Sequence, residues 1–266
     1  MVTANFPAHA RSQINPQSWL LRQAADGAPA PRHRLYCFCY AGGSATYFLP
    51  WQRYLAPGVQ LCAVQLPGRG ARFQDATYAS IGPLVATLAQ LIAEQDKMPF
   101  SFFGHSLGGL IAFELARYCK SHYLPVPERL IVSGCNGPQR LNPSKGLHRL
   151  PDVELIAALR DYNGTPPEIL EHRELMELVL PAMRADFSLV ETYRYLPLGV
   201  LNIPITAFAG RSDSYNSVEQ VEAWGMETNA AFRIQWFDGD HFFINGEFSA
   251  VMANINMELA TAGKAE

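Results

Sequence analysis

One serine of the chain stands where a nucleophile is expected. Ser106 is the centre of Gly104-His105-Ser106-Leu107-Gly108, a G-x-S-x-G pattern with an apolar run before it and an apolar, helix-like segment after it. In such a strand–turn–helix context the two glycines allow a tight turn that lifts the serine hydroxyl above a sheet. The turn also places the hydroxyl at a helix N-terminus, where developing negative charge is stabilised. The pattern therefore predicts that Ser106 attacks a carbonyl carbon.

A serine hydroxyl needs a general base, and histidine has the pKa that suits this task near neutral pH. The chain has seven histidines, and His241 is the one that directly follows the last predicted strand. In a doubly wound sheet the residues just past the strand C-termini share one rim. Ser106 and His241 are therefore predicted to converge although they are far apart in sequence.

A third group must orient the imidazole and stabilise its cationic form. The candidates are Asp213, Asp238 and Asp240. Asp213 follows a predicted strand and precedes the histidine, which gives the chain order Ser106, Asp213, His241 that is typical of an α/β-hydrolase. Asp238 and Asp240 flank a glycine and are typical turn formers, so they are the alternatives.

The oxyanion of the tetrahedral intermediate needs two backbone donors. The first is predicted to be the N–H of Leu107, directly after the nucleophile. The second is predicted in the loop Tyr40-Ala41-Gly42-Gly43, with Ala41 as the first choice and Tyr40 as the next. The alternative is that the two glycines merely end a strand.

Strands and helices alternate along the chain, which favours a mostly parallel sheet covered on both faces and hence an α/β fold. Apolar runs predict strands at residues 34–40, 60–65, 100–104, 130–134, 205–209 and 234–237. Helices are predicted at residues 46–55, 81–95 and 107–120.

A segment at about residues 139–198 interrupts this alternation. It contains predicted helices at 152–161, 168–180 and 182–195, and no convincing strand. We expect it to form a helical lid over one end of the sheet, within a single hydrolase domain spanning residues 34–266 after an N-terminal arm of residues 1–33. Met183 and Phe187 share a helix face in this lid. Together with Tyr40 they are candidate substrate-binding residues. For Met183 and Phe187, packing within the lid is the alternative.

The composition excludes several classes of function. Of 266 residues, 48% are hydrophobic and 17% charged, and the formal net charge is −3, so no basic excess favours nucleic acid or an anionic membrane. No signal peptide or membrane-spanning window is apparent. The five cysteines have neither zinc-site nor CxxC spacing and are expected to be buried thiols in the cytoplasm. These cysteines are Cys37, Cys39, Cys62, Cys119 and Cys135. No metal or other cofactor is expected.

Taken together, these motifs resemble the type II thioesterases of non-ribosomal peptide and polyketide synthases, which are α/β-hydrolases. The similarity covers about residues 35–248, and the catalytic serine, aspartate and histidine of that family fall on Ser106, Asp213 and His241. The matching segments are Ala41-Gly42-Gly43-Ser44, Gln65-Leu66-Pro67-Gly68-Arg69 with Arg72, Phe103–Gly109 with Glu114, Gly164-Thr165-Pro166-Pro167, Leu180-Pro181 with Arg184-Ala185-Asp186-Phe187 and Tyr193, and Gly239-Asp240-His241-Phe242-Phe243.

The resemblance implies a monomeric enzyme that hydrolyses acyl groups from the phosphopantetheine arm of carrier proteins, mainly to clear stalled or mis-primed units. The alternatives are a product-releasing thioesterase of the same kind of pathway and a small-molecule carboxylesterase. Arg69 and Arg72 follow a strand end near the predicted site. They are interpreted either as contacts for an acidic carrier or its phosphate, or as solvated loop charges.

Overall fold

Among the residues that the structure describes, the sheet has seven strands, and six of them are parallel. The computed structural model describes residues 15–23, 29–95, 97–142, 144–162, 164 and 167–261, so most of the predicted arm lies outside the described residues. The strands are β1 (Leu20–Leu21), β2 (His33–Phe38), β3 (Val59–Val64), β4 (Phe100–His105), β5 (Leu130–Ser133), β6 (Ile205–Gly210) and β7 (Phe232–Phe237). Their order in the sheet is β1-β3-β2-β4-β5-β6-β7, with β1 antiparallel to β3.

The predicted α/β fold is confirmed, and all six predicted strands occur with ends that differ by at most two residues. Every residue of β4 and of β5 is buried. Because a strand buried on both faces is apolar along its whole length, these strands could be recognised in the sequence as apolar runs. Strand β1 was not predicted, because two residues are too short to show a period.

The strand order brings the predicted oxyanion loop beside the predicted nucleophile, Ser106. The chain leaves β2, adds β3 on one side and then returns to place β4 on the other side of β2. Phe38, at the end of β2, is in register with Gly104, near the end of β4. Open α/β sheets bind their ligands in the crevice outside such a switch point.

Helices cover both faces of the sheet. Helices α2 (Ile81–Ala93) and α3 (Leu107–Ser121) pack on one face, and α9 (Phe248–Ala260) packs on the other. Among the described residues, no helix is both long and apolar enough to cross a lipid bilayer. The helices are α1 (Pro16–Trp19), α2 (Ile81–Ala93), α3 (Leu107–Ser121), α4 (Asp152–Tyr162), α5 (Pro167–Leu170), α6 (Arg173–Glu191), α7 (Val218–Glu222), α8 (Phe243–Gly246) and α9 (Phe248–Ala260).

The helix predicted at residues 46–55 is instead two 3₁₀ segments, Ala45–Tyr47 and Leu49–Tyr54. Ala45, Phe48 and Trp51 are all buried and recur every three residues. Three residues per turn is the period of a 3₁₀ helix, so burial of this face selects that geometry.

The lid prediction was wrong in one detail. The two helices predicted at 168–180 and 182–195 are one continuous helix, α6, with Pro181 inside it. Pro181 is exposed, so the carbonyl that its missing N–H leaves unbonded lies on the solvent side. Leu180 before the proline and Met183 after it are buried in the same cluster, which keeps both halves of α6 on one lid core. Within the described part of residues 139–198 there is no strand.

Part of the predicted arm belongs to the core. Leu20 and Leu21 pair with Val64 and Ala63 of β3. Trp19 is 4% exposed, and the guanidinium carbon of Arg72 lies 3.6 Å from the centre of its indole ring. The division at residue 34 stays a prediction for the residues outside the described part.

Replacing Trp19 with alanine tests whether this segment stabilises the domain. We expect Trp19→Ala to lower the free energy of unfolding by about 3 to 5 kcal/mol, because it removes a buried indole and the ring under Arg72. Urea denaturation measures the loss. The control Met257→Ala, at a side chain that is 56% exposed, should change the value by less than about 0.5 kcal/mol. Equal stability of the two variants would show that the arm is dispensable.

Candidate active site

Ser106 occupies a strained turn between β4 and α3. Its backbone has φ 56° and ψ −120°, and its N–H donates to the carbonyl of Ser133 at 2.7 Å. The flanking glycines permit a very close approach. A Cβ on Gly104 would lie 2.1 Å from the Gly108 oxygen, and one on Gly108 would lie 2.0 Å from the Phe38 oxygen. Neither position accepts a larger residue, which explains the G-x-S-x-G pattern.

His241 pairs with Asp213. The Nδ1 atom of His241 lies 2.8 Å from Asp213 Oδ2, and both residues are buried. The Asp213 carboxylate also accepts the N–H of Tyr215 at 2.9 Å and the side-chain amide of Asn216 at 2.6 Å, so its orientation is fixed. Because Nδ1 faces the aspartate, Nε2 is the ring nitrogen left for proton exchange.

The two alternative carboxylates, Asp238 and Asp240, make contacts with groups other than His241. Asp238 is exposed and lies 3.3 Å from Arg211, whereas Asp240 accepts the N–H of Phe242 at 2.8 Å. His105, inside the elbow, is fully buried and its Nδ1 lies 2.9 Å from the Ser133 hydroxyl. Burial lowers the pKa of His105 well below its usual value, so this ring stays neutral.

Two backbone N–H groups of the loop after β2 already donate hydrogen bonds within the protein. Gly42 donates its N–H to Asp186 Oδ2 at 2.7 Å, and Gly43 donates to the Tyr40 carbonyl at 2.9 Å. Gly42 has φ 77°, a conformation that favours glycine. The Ala41 and Tyr40 amides therefore remain as the loop's candidate oxyanion donors.

A cavity of about 520 Å³ joins these groups. Its size suits a small-molecule or acyl ligand. Ser106, His241, Leu107, Ala41 and Tyr40 all line it. The lid supplies a further wall, which includes Phe187. The apolar lining residues of both walls include Leu110, Leu141, Leu147, Leu159, Phe187 and Val190.

Met183 does not line this cavity, contrary to the expectation that it binds substrate. It lies in the lid core with Met176 and Leu180. A Cβ on Gly42 would lie 2.9 Å from Met183 Cε, so the side chain packs directly on the oxyanion loop. Met183 therefore packs within the lid, as the alternative prediction has it. Tyr40 and Phe187 line the cavity.

Neither interpretation of Arg69 and Arg72 is correct. The Arg69 side chain is 10% exposed and forms a bidentate ion pair with Asp186, with both nitrogen–oxygen distances 2.7 Å. Arg72 is buried between the Trp19 ring, Asp75 at 2.8 Å and the Gln65 carbonyl at 3.0 Å. Both guanidinium groups are therefore largely buried and bound to groups of the chain itself.

Helix α6 carries contacts that pattern reasoning missed. Arg184 donates to the carbonyls of His148 and Leu150, whereas Glu191 accepts the N–H groups of Lys145, Leu147 and His148 at 3.0 to 3.1 Å. The sequence did contain an indication of these contacts. The segment Arg184-Ala185-Asp186-Phe187 resembles the family, but its charged residues were given no role. Arg184 binds another part of the lid segment, and Asp186 binds the loop after β2.

The thioesterase domain model matches residues 33–259. The chain belongs to the thioesterase family. Among solved thioesterases, the type II thioesterase BorB from the borrelidin biosynthetic cluster is 34% identical with a TM-score of 0.81, covering 91% of this chain and 98% of that one. ClbQ from the colibactin pathway is 31% identical with a TM-score of 0.82, covering 87% and 98%.

Two curated relatives of this thioesterase carry different names. The gramicidin S biosynthesis protein GrsT of Aneurinibacillus migulanus is 37% identical over 233 residues, 88% of this chain and 90% of that protein. The linear gramicidin dehydrogenase LgrE of Brevibacillus parabrevis is 36% identical over 254 residues, 94% and 95% of the two chains. A dinucleotide-binding fold uses G-x-G-x-x-G after a strand. That pattern is absent from this sequence, whose strand–turn–helix at 100–121 carries Ser106.

The five thiols are free and buried, as predicted. Burial raises the pKa of Cys135, which lines the cavity, to about 12, and raises the pKa of Cys119 to about 12. Burial also raises the pKa of Cys37 and Cys39. These side chains therefore stay protonated at neutral pH and are poor nucleophiles.

Thiol labelling tests this environment. Because a pKa of about 12 leaves roughly one thiol in 10⁴ ionised at pH 8, iodoacetamide should modify none of the cysteines of the folded enzyme within an hour. The same reagent in denaturant should modify all five, as counted by mass spectrometry. Fast modification of Cys135 in the folded enzyme would contradict its assignment as an inert lining residue.

Proposed function

We propose that this thioesterase uses Ser106, His241 and Asp213 to hydrolyse acyl thioesters carried on the phosphopantetheine arm of carrier proteins. The observation that supports this most is the shared cavity. It is lined by a serine on a strained turn, by a histidine paired with a buried aspartate, and by the residues of two candidate donor amides.

In the proposed mechanism, His241 Nε2 takes the proton of the Ser106 hydroxyl as the oxygen attacks the thioester carbonyl. The resulting oxyanion accepts the N–H groups of Leu107 and Ala41. Collapse expels the thiolate, which takes the proton from His241, and leaves an acyl-serine. A thiol of pKa about 8.5 leaves easily, so this step needs little acid assistance. His241 then activates water, which releases the acid and restores Ser106.

The substrate class and partners rest on the similar proteins. BorB and ClbQ are described as belonging to biosynthetic clusters or pathways, and GrsT as a biosynthesis protein. We assign this chain to a polyketide or non-ribosomal peptide pathway, where its main task is to remove stalled or mis-primed acyl units. It acts there as a cytoplasmic monomer that docks transiently on carrier domains. All groups in the mechanism come from the chain, the substrate and water, so no cofactor is invoked.

Substitutions in the proposed triad give the first test. Ser106→Ala should abolish labelling by a fluorophosphonate probe, because it removes the attacking oxygen. Asp213→Asn should lower kcat by about 10³- to 10⁴-fold, because the amide no longer stabilises the imidazolium. The control Asp238→Asn, at an exposed carboxylate, should keep wild-type kcat. Labelling that persists in Ser106→Ala would refute the nucleophile assignment.

A substrate panel tests the proposed chemistry. We expect kcat/KM to be highest for acyl groups on a carrier protein, lower for the same acyl groups on coenzyme A and lowest for nitrophenyl esters. The thioester leaving group and the partner surface favour that order. Higher values for nitrophenyl esters would identify a small-molecule carboxylesterase, and activity confined to one full-length product chain would identify a product-releasing enzyme.

A further inference from the structure

One buried ion pair lies next to the reaction centre and has no part in the mechanism above. Asp186 of the lid helix α6 is 2% exposed. Its Oδ2 accepts the Gly42 N–H and one Arg69 nitrogen, each at 2.7 Å, and its Oδ1 accepts the other Arg69 nitrogen at 2.7 Å. Three donors from two loops thus converge on one carboxylate of the lid.

The pair holds the oxyanion loop at two points. Asp186 binds the N–H of Gly42, and Arg69 donates to the carbonyl of Gly43 at 2.9 Å. The Gly42 N–H belongs to the peptide plane that follows Ala41. Fixing that plane restricts rotation about ψ of Ala41, and therefore the direction of the Ala41 N–H on the other side of its Cα.

Stability alone does not explain this arrangement. A buried ion pair is often no more stabilising than apolar side chains of similar volume, because both charges lose their hydration. What apolar residues cannot do is accept the Gly42 N–H. Met183, one turn before Asp186, packs on the same glycine from the lid side. The carboxylate therefore adds a directional contact at a place where packing is already present.

We propose that Asp186, held by Arg69, is a positioning residue that orients the Ala41 amide in the oxyanion hole and so makes the lid helix part of the reaction centre. This inference rests on the proposed function, in which Ala41 supplies the second donor. It requires α6 to be seated on the core whenever the carbonyl is attacked. Phe187, the next residue of α6, lines the cavity, so the same turn of helix meets the acyl group and the oxyanion loop.

The test compares Asp186→Asn with the control Glu177→Gln. Asn keeps the shape but loses the charge and presents one amide nitrogen to donors. Glu177 lies on the same helix in an exposed ion pair with Arg173. Removing an oxyanion donor lowers kcat by about 10²- to 10³-fold, so a misdirected donor in Asp186→Asn should lower kcat by about 10- to 100-fold. KM should change less than threefold, and Glu177→Gln should match wild type.

A pair of inhibitors separates positioning from a general loss of structure. An acyl trifluoromethyl ketone forms an oxyanion on Ser106, whereas the matching acyl-chain thioether, which has no carbonyl, only fills the cavity. For Asp186→Asn, the inhibition constant of the ketone should rise in parallel with the fall in kcat, while the thioether should bind as it does to wild type. Equal weakening of both ligands, or unchanged kcat, would overturn the proposal.

Arg69→Lys keeps the test decisive if Asp186→Asn does not fold. Lysine retains the charge but loses the fork, so it cannot hold both Asp186 oxygens and the Gly43 carbonyl. It should show the same selective loss of kcat and ketone affinity. Wild-type kcat in Arg69→Lys, with the ketone bound as tightly as before, would refute the inference. If the proposed function itself fails, the wild-type enzyme will not hydrolyse thioesters or bind the ketone, which is a different outcome.

Discussion

The close contact between the first turn of α3 and the ends of β2 and β4 is the constraint on which the site depends. Gly108 lies so near the Phe38 carbonyl that a methyl group would overlap it. This contact brings the amide of Leu107 and the loop that follows β2 to the same space. It also forces the positive φ of Ser106, a strain of about 1 to 3 kcal/mol that the buried face of α3 offsets. Ser106 lines the cavity on a turn whose conformation is restricted by the close contacts of Gly104 and Gly108.

Helix α6 supplies the second organising contact. Along about two turns, Arg184 donates to carbonyls of the preceding lid segment, Asp186 accepts the Gly42 N–H of the oxyanion loop, and Glu191 accepts three N–H groups near the start of the lid. Arg184 and Glu191 thus hold parts of the lid segment to each other, whereas Asp186 binds the lid to the loop after β2. Such contacts specify an orientation, whereas the apolar core of the lid, which includes Leu155 and Leu159, would tolerate some sliding.

The sequence predicted the parts of this enzyme that depend on periodicity and on strand ends. Ser106, Asp213 and His241 each follow an apolar run, and residues just past parallel strands must meet at one rim. Contacts between distant loops left no such pattern. Arg69 and Asp186 are 117 residues apart. The sequence on either side of each residue does not distinguish a buried ion pair from two solvated charges. The continuity of α6 through Pro181 was missed for a related reason, because only the shared lid core overrides the local signal for a break.

The chemistry explains why a lid contact at the oxyanion loop matters more than one at the leaving group. A thioester already has a good leaving group, so the rate depends chiefly on stabilising the tetrahedral oxyanion. In this structure one of the two candidate donor amides lies in a loop whose geometry is held by α6, and the same helix contributes Phe187 to the acyl cavity. Recognition of the acyl group and stabilisation of the oxyanion are therefore mechanically linked. An acyl chain that displaces α6 weakens the oxyanion hole as well as the fit, so selectivity is expressed in kcat and not only in binding.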